Sequence, residues 1–335
     1  MKKVFYSLLA GWMVFSGCDK VDVSGVIHAE ECVLTGNNVY LKARISPSVD
    51  MSEAYFLLSK NKDVSRKGSR KIPGTLRDQG FSACAASLDV GSTYYCQAVG
   101  FVGRKQYAGE VFSFHVNEEL EAVDIGIVVN GKPVKWASCN IGASKKEEYG
   151  NFYAWGETDT KPYKDFVWSK YKWGNAGNAS AMTKYKQTNM KLEPDDDVAQ
   201  VQLGGGWRMP TPEELQALAA TEDDKANYTW QHLVATDSSG EYCRNAYGEP
   251  IFIFKITQRS TGRSLILPAA GYIYNGSHKG YAEGWENWNY WASATSNTNA
   301  YQARAFHGYD VVAISVDATG YFERCEGMSV RAVCE

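Results

Sequence analysis

The chain has 335 residues, 44% of them hydrophobic, and a formal net charge of −3. That length holds two domains, or three small ones, with enough apolar material to build their cores. The near-balanced charge excludes the long-range attraction to nucleic acid that a strongly basic protein exerts, so nucleic acid is not an expected partner. Aromatic residues make up 13% of the chain, including 10 Trp and 21 Tyr. All the tryptophans except Trp12 lie beyond residue 118.

The chain opens as a targeting segment. Lys2 and Lys3 precede an apolar run, Val4 to Phe15, that is too short to span a bilayer. It ends in Phe15-Ser16-Gly17-Cys18, which resembles a bacterial lipobox. The resemblance implies cleavage after residue 17, lipidation of Cys18 and a tether over residues 18–23. Acyl chains on that cysteine, palmitate among them, would make the membrane a partner through the N-terminal lipid, at about 0.8 kcal/mol per buried CH₂. Asp19 and Asp22 are similar to the export signals of outer-membrane, surface-exposed lipoproteins. Seven further cysteines follow: Cys32, Cys84, Cys96, Cys139, Cys243, Cys325 and Cys334. An exported chain meets an oxidising compartment, where disulfides form, and an odd number leaves at least one thiol without an intramolecular mate. Their spacing, and that of His28, His115, His232, His278 and His307, fits no zinc pattern. No metal or other cofactor is expected.

Residues 24–116 read as a small all-β domain. Alternation runs through Val39 to Ile45 and Ala54 to Leu58, with turn signals at Gly36-Asn37-Asn38, Pro47 and Pro73-Gly74. Leu88 to Val99 and Tyr107 to Phe114 continue the series. Roughly seven short strands in about 90 residues suit a sandwich. The segment resembles a fibronectin type III or related Ig-like domain, in which a Leu, a Gly turn and a Tyr pair, here Leu88, Gly91 and Tyr94-Tyr95, lead into the sixth strand.

Residues 117–122 form an acidic linker, and a second domain covers 123–335. A strand over Asp124 to Val129, a turn at Asn130-Gly131 and a returning strand over Val134 to Ala137 open it. The acidic run Asp195-Asp196-Asp197 suits the positive end of a helix. Thr211-Pro212-Glu213-Glu214 joins a capping Thr, Pro at the first helical position and Glu three residues after the cap. Further strands are expected over Ile251 to Thr257, Ser264 to Leu267, Ala300 to Phe306, Val311 to Val316 and Met328 to Val333. Two helices, few strands and long aromatic loops describe an α+β domain.

Spaced landmarks run through this second region: Trp136 to Ala143, Tyr153-Ala154-Trp155-Gly156-Glu157, Gly206 to Thr211, Leu267 to Tyr272, Tyr290-Trp291-Ala292-Ser293 and Ser329 to Val333. Together, in this order, they resemble the FISUMP-type "major paralogous" domain of secreted bacterial proteins. That family is related in fold to C-type lectins and formylglycine-generating enzymes. The resemblance implies a C-type-lectin-like domain after the sandwich, in a cell-surface lipoprotein.

Chemistry along the chain is sparse. Asp195, Asp196 and Asp197 are weak candidates for a calcium site, since clustered oxygens suit that ion, but a helix start also accounts for them. Glu193-Pro194-Asp195 is similar to the Glu-Pro-Asn sugar motif of C-type lectins. It precedes the second helix, however, and Trp288-Asn289 is followed by Tyr290 where the lectin triplet has Asp. Cys325 and Cys334 invite comparison with the paired cysteines of formylglycine-generating enzymes, at wider spacing and without that site's context. No Gly-x-Ser-x-Gly, His-Glu-x-x-His or phosphate loop occurs, and no catalytic residue is expected. The candidate ligand site is the stretch 280–291. Trp285 and Trp288 there would stack on sugar faces while Glu286, Asn287 and Asn289 bond hydroxyls; Trp291 is expected in the core. The functional expectation is non-catalytic binding or adhesion, with a glycan or an extracellular protein as ligand. An enzyme or accessory factor in polysaccharide metabolism and a structural subunit of a surface appendage are the alternatives.

Overall fold

The computed structural model describes residues 25–47, 49–65, 68–175, 178–245, 248–280, 286–310 and 314–335. Cys18 and Trp285 lie outside them. The chain is β-rich, with 47% strand and 9% helix. It divides into two compact units: described residues through Cys32 with Val39–Val116, and Val33–Asn38 with Asn117–Glu335. No helix among the described residues is long and apolar enough to cross a membrane.

The first unit is built on two four-stranded antiparallel sheets. Its strands are β1 (Ile27–Thr35), β2 (Asn38–Ile45), β3 (Glu53–Ser59), β4 (Arg70–Pro73), β5 (Thr75–Arg77), β6 (Gly80–Ala85), β7 (Thr93–Val102) and β8 (Lys105–His115). One sheet runs β1-β2-β6-β5 and the other β4-β3-β7-β8. Alternation buries one face of the longer strands, as in β6, where Phe81, Ala83 and Ala85 are buried between outward residues, while the short β5 is exposed throughout. Phe56 of β3 meets Phe81 of β6 at 4.9 Å between ring centroids, so the two inner faces share a core. Gly74 lets the chain pass between sheets, because a Cβ there would lie 2.7 Å from the Phe81 ring. Before β7, the Tyr94 hydroxyl accepts from the Asp89 amide at 3.1 Å, which pins the turn ahead of that strand.

In the second unit, β9 (Ala122–Val129) and β10 (Lys132–Ala137) form the expected hairpin. Asn130 and Gly131 both take positive φ, 51° and 78°, as a tight two-residue turn of this hand requires. A small hairpin follows, β11 (Gly174–Asn175) with β12 (Asn178–Met182), and then α1 (Val198–Leu203) and α2 (Pro212–Ala220). Next come β13 (Tyr228–Val234), β14 (Phe252–Gln258) and β15 (Ser264–Pro268) in one sheet, and β16 (Tyr272–Tyr274) with β17 (Ser277–Lys279) in another. The meander β18 (Glu286–Thr295), β19 (Gln302–Asp310) and β20 (Ile314–Glu323) precedes β21 (Val333–Cys334), which pairs with β10. Strands are therefore more numerous than the sequence reading held.

The second helix start has the chemistry read from the sequence, while at the first Asp195 and Asp196 lie in a separate 3-10 turn and only Asp197 serves the helix. Asp197 caps α1, its Oδ1 accepting from the amides of Ala199 and Gln200. Thr211 and Glu214 close a reciprocal capping box on α2, with the Thr211 amide donating to Glu214 at 2.7 Å and the Glu214 amide donating to Thr211 at 3.2 Å.

Residues 328–332 differ from the expected strand. They are almost wholly buried but form isolated bridges, Met328 with Tyr153 and Ser329 with Tyr290. Arg331 explains the burial of an irregular segment. Its guanidinium donates to Asn140 Oδ1 at 2.8 Å and to the carbonyls of Ala137 and Ser138 at 2.7 and 2.6 Å. Two of the spaced landmarks are thus joined through one buried arginine, which satisfies three acceptors that the core would otherwise strand.

Candidate functional site

The stretch 280–291 is not an aromatic loop over its second half. Glu286, Asn287, Trp288 and Asn289 all lie in β18, opposite Asp310, Tyr309, Gly308 and His307 of β19. Trp288 is 0% exposed and packs against Phe254 within the cluster that also holds Tyr290 and Ala292. Trp291 points into a second cluster with Trp155 and Met328. Both faces of β18 are therefore core. Its outer edge is covered as well, because Gly271 donates to the Asn287 carbonyl at 2.8 Å and Trp291 donates to that of Ser329 at 3.2 Å. The expectation that Trp288 offers a ring face to a ligand is corrected by this packing. Asn289, 3% exposed, is withdrawn from ligand contact for the same reason, while Asn287 stays partly exposed.

The three aspartates do not converge on one point. Asp197 is turned into α1 and also accepts from the Met209 amide at 3.1 Å through Oδ1 and 2.9 Å through Oδ2. Burial raises its pKa and the bonds from Met209, Gln200 and Ala199 oppose that rise. Asp196 faces the other way, toward amines and a phenol, and Asp195 is exposed. No group of three or more metal-ligating side chains is found among the described residues. Cys32, Cys96, Cys139, Cys243, Cys325 and Cys334 are free thiols. Cys325 is packed with Phe152, Phe166 and Tyr171, where burial pushes its thiol up, away from the thiolate a nucleophile needs.

The residues that do converge surround Trp173. Tyr171 is anchored by its hydroxyl, which donates to the Trp155 carbonyl at 2.6 Å. Two residues on, the Trp173 indole N–H donates to the Gly156 carbonyl at 2.8 Å, and the Trp173 carbonyl accepts from Thr183 at the far end of the β11–β12 hairpin. The ring is thereby fixed yet left partly exposed. The Lys172 ammonium lies 4.3 Å from its centroid and that of Lys184 lies 5.0 Å away. Asp196 joins them: its Oδ1 is 3.5 Å from Lys172 and its Oδ2 is 2.5 Å from Lys184 and 2.8 Å from the Tyr185 hydroxyl. Glu193 Oε2 takes a second contact with Lys184 at 2.6 Å.

Charge is balanced within this cluster, and a third pair, Lys161 with Glu157 at 2.8 Å, borders it. Glu157 also accepts from the Lys172 amide at 2.8 Å. Partial burial opposes the charge on Lys184, but the bonds to Asp196 and Glu193 outweigh it and hold its pKa above the ordinary lysine value. Beneath, Arg324 braces the floor. Its guanidinium stands 5.2 Å from the Trp155 centroid and 5.6 Å from that of Tyr171, and donates to the Tyr185 carbonyl at 3.1 Å. The outcome is a rigid aromatic face ringed by amines and carboxylates, a surface suited to noncovalent recognition of a polar ligand with one apolar face.

Sequence reasoning weighs Glu193 and Asp196, in a sugar-motif comparison and as a calcium candidate, but not Lys172, Trp173 or Lys184. The cluster's visible trace is the pair of Lys-aromatic steps, Lys172-Trp173 and Lys184-Tyr185, ahead of the acidic run from Glu193 to Asp197. No family model matches the chain, and no curated protein matches it.

Proposed function

We propose that this chain is an exported, lipid-anchored binding protein of the bacterial cell envelope, surface-exposed on the outer membrane. In this reading the first unit is a fibronectin III/Ig-like spacer. The second is a C-type-lectin-like module of the FISUMP type that holds a glycan or an extracellular protein without catalysis. The lipobox-like Phe15 to Cys18 supports the anchor, and the ordered landmarks of the second region support the module.

The observation that carries the binding role is Trp173. It is a partly exposed indole held by a carbonyl bond to Gly156, with ammonium groups at its face and carboxylates within their reach. A fixed ring costs a ligand little ordering entropy and gives an apolar sugar face a flat partner. The test is a glycan-array screen of the chain with Cys18→Ser, repeated with Trp173→Ala. The expected result is a hit whose affinity falls at least tenfold in the variant, as loss of an anchoring aromatic implies at about 2 kcal/mol. Unchanged binding in a variant that still melts as the parent does would remove Trp173 from the site.

A further inference from the structure

We propose that the Trp173 site takes a carboxylate-bearing sugar, whose acid group displaces Glu193 from the ammonium group of Lys184 and reaches that of Lys172. The proposal rests on the binding reading of this site and names its ligand class.

The two carboxylates on Lys184 are not equivalent. Asp196 is buried and already serves Lys184, Lys172 and the Tyr185 hydroxyl. Removing it would strand the hydroxyl of the buried Tyr185, so it belongs to the frame. The Glu193 side chain is 63% exposed and, among the described residues, makes one ion pair, with Lys184. Its backbone is held separately: its amide donates to the Tyr185 hydroxyl at 2.9 Å and its carbonyl accepts from Asp196 at 3.0 Å. The side chain can therefore swing out while the chain path stays in place. An exposed ion pair of this kind weighs little against that motion.

Moving Glu193 away frees one side of Lys184 while Asp196 keeps Lys184 and Lys172 side by side. Lys172 is 48% exposed, and among the described residues its one ion pair is the 3.5 Å contact with an Asp196 oxygen. A ligand carboxylate entering from solvent opposite Asp196 meets both exposed amines, whereas Glu193 pairs with Lys184. Both amines stand over Trp173, so an acid group held by them sets its sugar ring beside the indole face. A neutral glycan would leave Glu193 in place and gain nothing from the amines. A cationic ligand would meet two ammonium groups at the ring. Glu193 thus acts as an internal stand-in for the ligand acid, and its presence makes the resting site neutral.

Binding is measured by calorimetry on the Cys18→Ser chain. The probes are galacturonate, alginate and hyaluronan oligomers, each beside a counterpart whose carboxylates are methyl-esterified or amidated. Expected is binding of at least one acidic oligomer, lost on esterification or amidation and weakened by added salt. Glu193→Gln should tighten it by up to about fivefold, the worth of one exposed ion pair, and Lys172→Gln should weaken it about tenfold. Thermal melts of both exposed-site variants should match the parent. Weaker binding in Glu193→Gln, equal binding of neutral and acidic oligomers, or no binding across the panel would overturn the assignment. Loss of a neutral glycan in Trp173→Ala, with Glu193→Gln inert, would overturn the ligand class and leave the site standing. Acidic oligomers that bind Trp173→Ala as tightly as the parent would remove the site and the ligand class together.

Discussion

Glu326 carries a pH dependence that stability measurements can isolate. It sits in the turn after β20, 5% exposed, with no hydrogen-bond partner for Oε2 among the described residues. Burial, and then the neighbouring Glu323 carboxylate, raise its pKa from the ordinary 4.5 to about 8. The folded state therefore holds a proton that the unfolded chain releases above pH 4.5. Stability from this group is complete below pH 4.5, falls as pH rises through the window to about 8, and is gone above it. A separation of roughly 3.5 pH units at about 1.4 kcal/mol each bounds the loss at on the order of 5 kcal/mol. Glu326→Gln keeps the side-chain shape and removes the titration, at a constant offset of about 1–2 kcal/mol for the amide's unmet donors. Urea unfolding followed by tryptophan fluorescence from pH 5 to 9 should show the parent losing stability with a slope that the variant lacks. The two curves should diverge by several kcal/mol at the alkaline end. Parallel curves across the whole range would refute the reasoning, because they would mean that Glu326 is charged in the fold or is open to water.

Two further variants test the packing. Trp288→Ala should cost about 3–5 kcal/mol in denaturant unfolding, as expected for a core ring, and should leave any ligand affinity of the folded protein unchanged. A variant as stable as the parent would place the ring at the surface. Thr211→Ala should cost about 1 kcal/mol, since one capping oxygen is lost while Glu214 keeps its paired contacts with Arg208 at 2.5 and 2.7 Å. An unmoved urea midpoint would argue that α2 does not depend on this cap.

The features legible in the sequence are those decided within a few residues. Asn130-Gly131 specifies its turn because both positions need positive φ, which Asn and Gly tolerate. Thr211 and Glu214 specify a helix start because their bonding partners are each other's backbone. Strands over Val39 to Ile45 and Ser264 to Leu267 were visible because one face is buried and period two follows. Trp288 was misread for the complementary reason. The Gly, Glu and Asn around it mark a loop when only neighbours in sequence are considered. Its burial comes from Phe254, and the cover over β18 comes from Gly271 and Ser329. Strand β18 is buried on both faces, so alternation carries no sign of which ring meets water.

The candidate site has the same origin. Lys172, Trp173, Lys184, Glu193 and Asp196 span 25 positions of a segment with little regular structure, and no spacing rule links them. A hairpin, a buried arginine and an anchored indole bring them together. The sequence by itself determined strand periodicity, turn chirality and helix caps, because those depend on backbone preferences and bonds within one turn. Only the tertiary structure decided which aromatic rings are core and that Trp173 stands among charges. Burial is set by whatever packs on the far side of a residue, and here that partner arrives from tens to well over a hundred positions away.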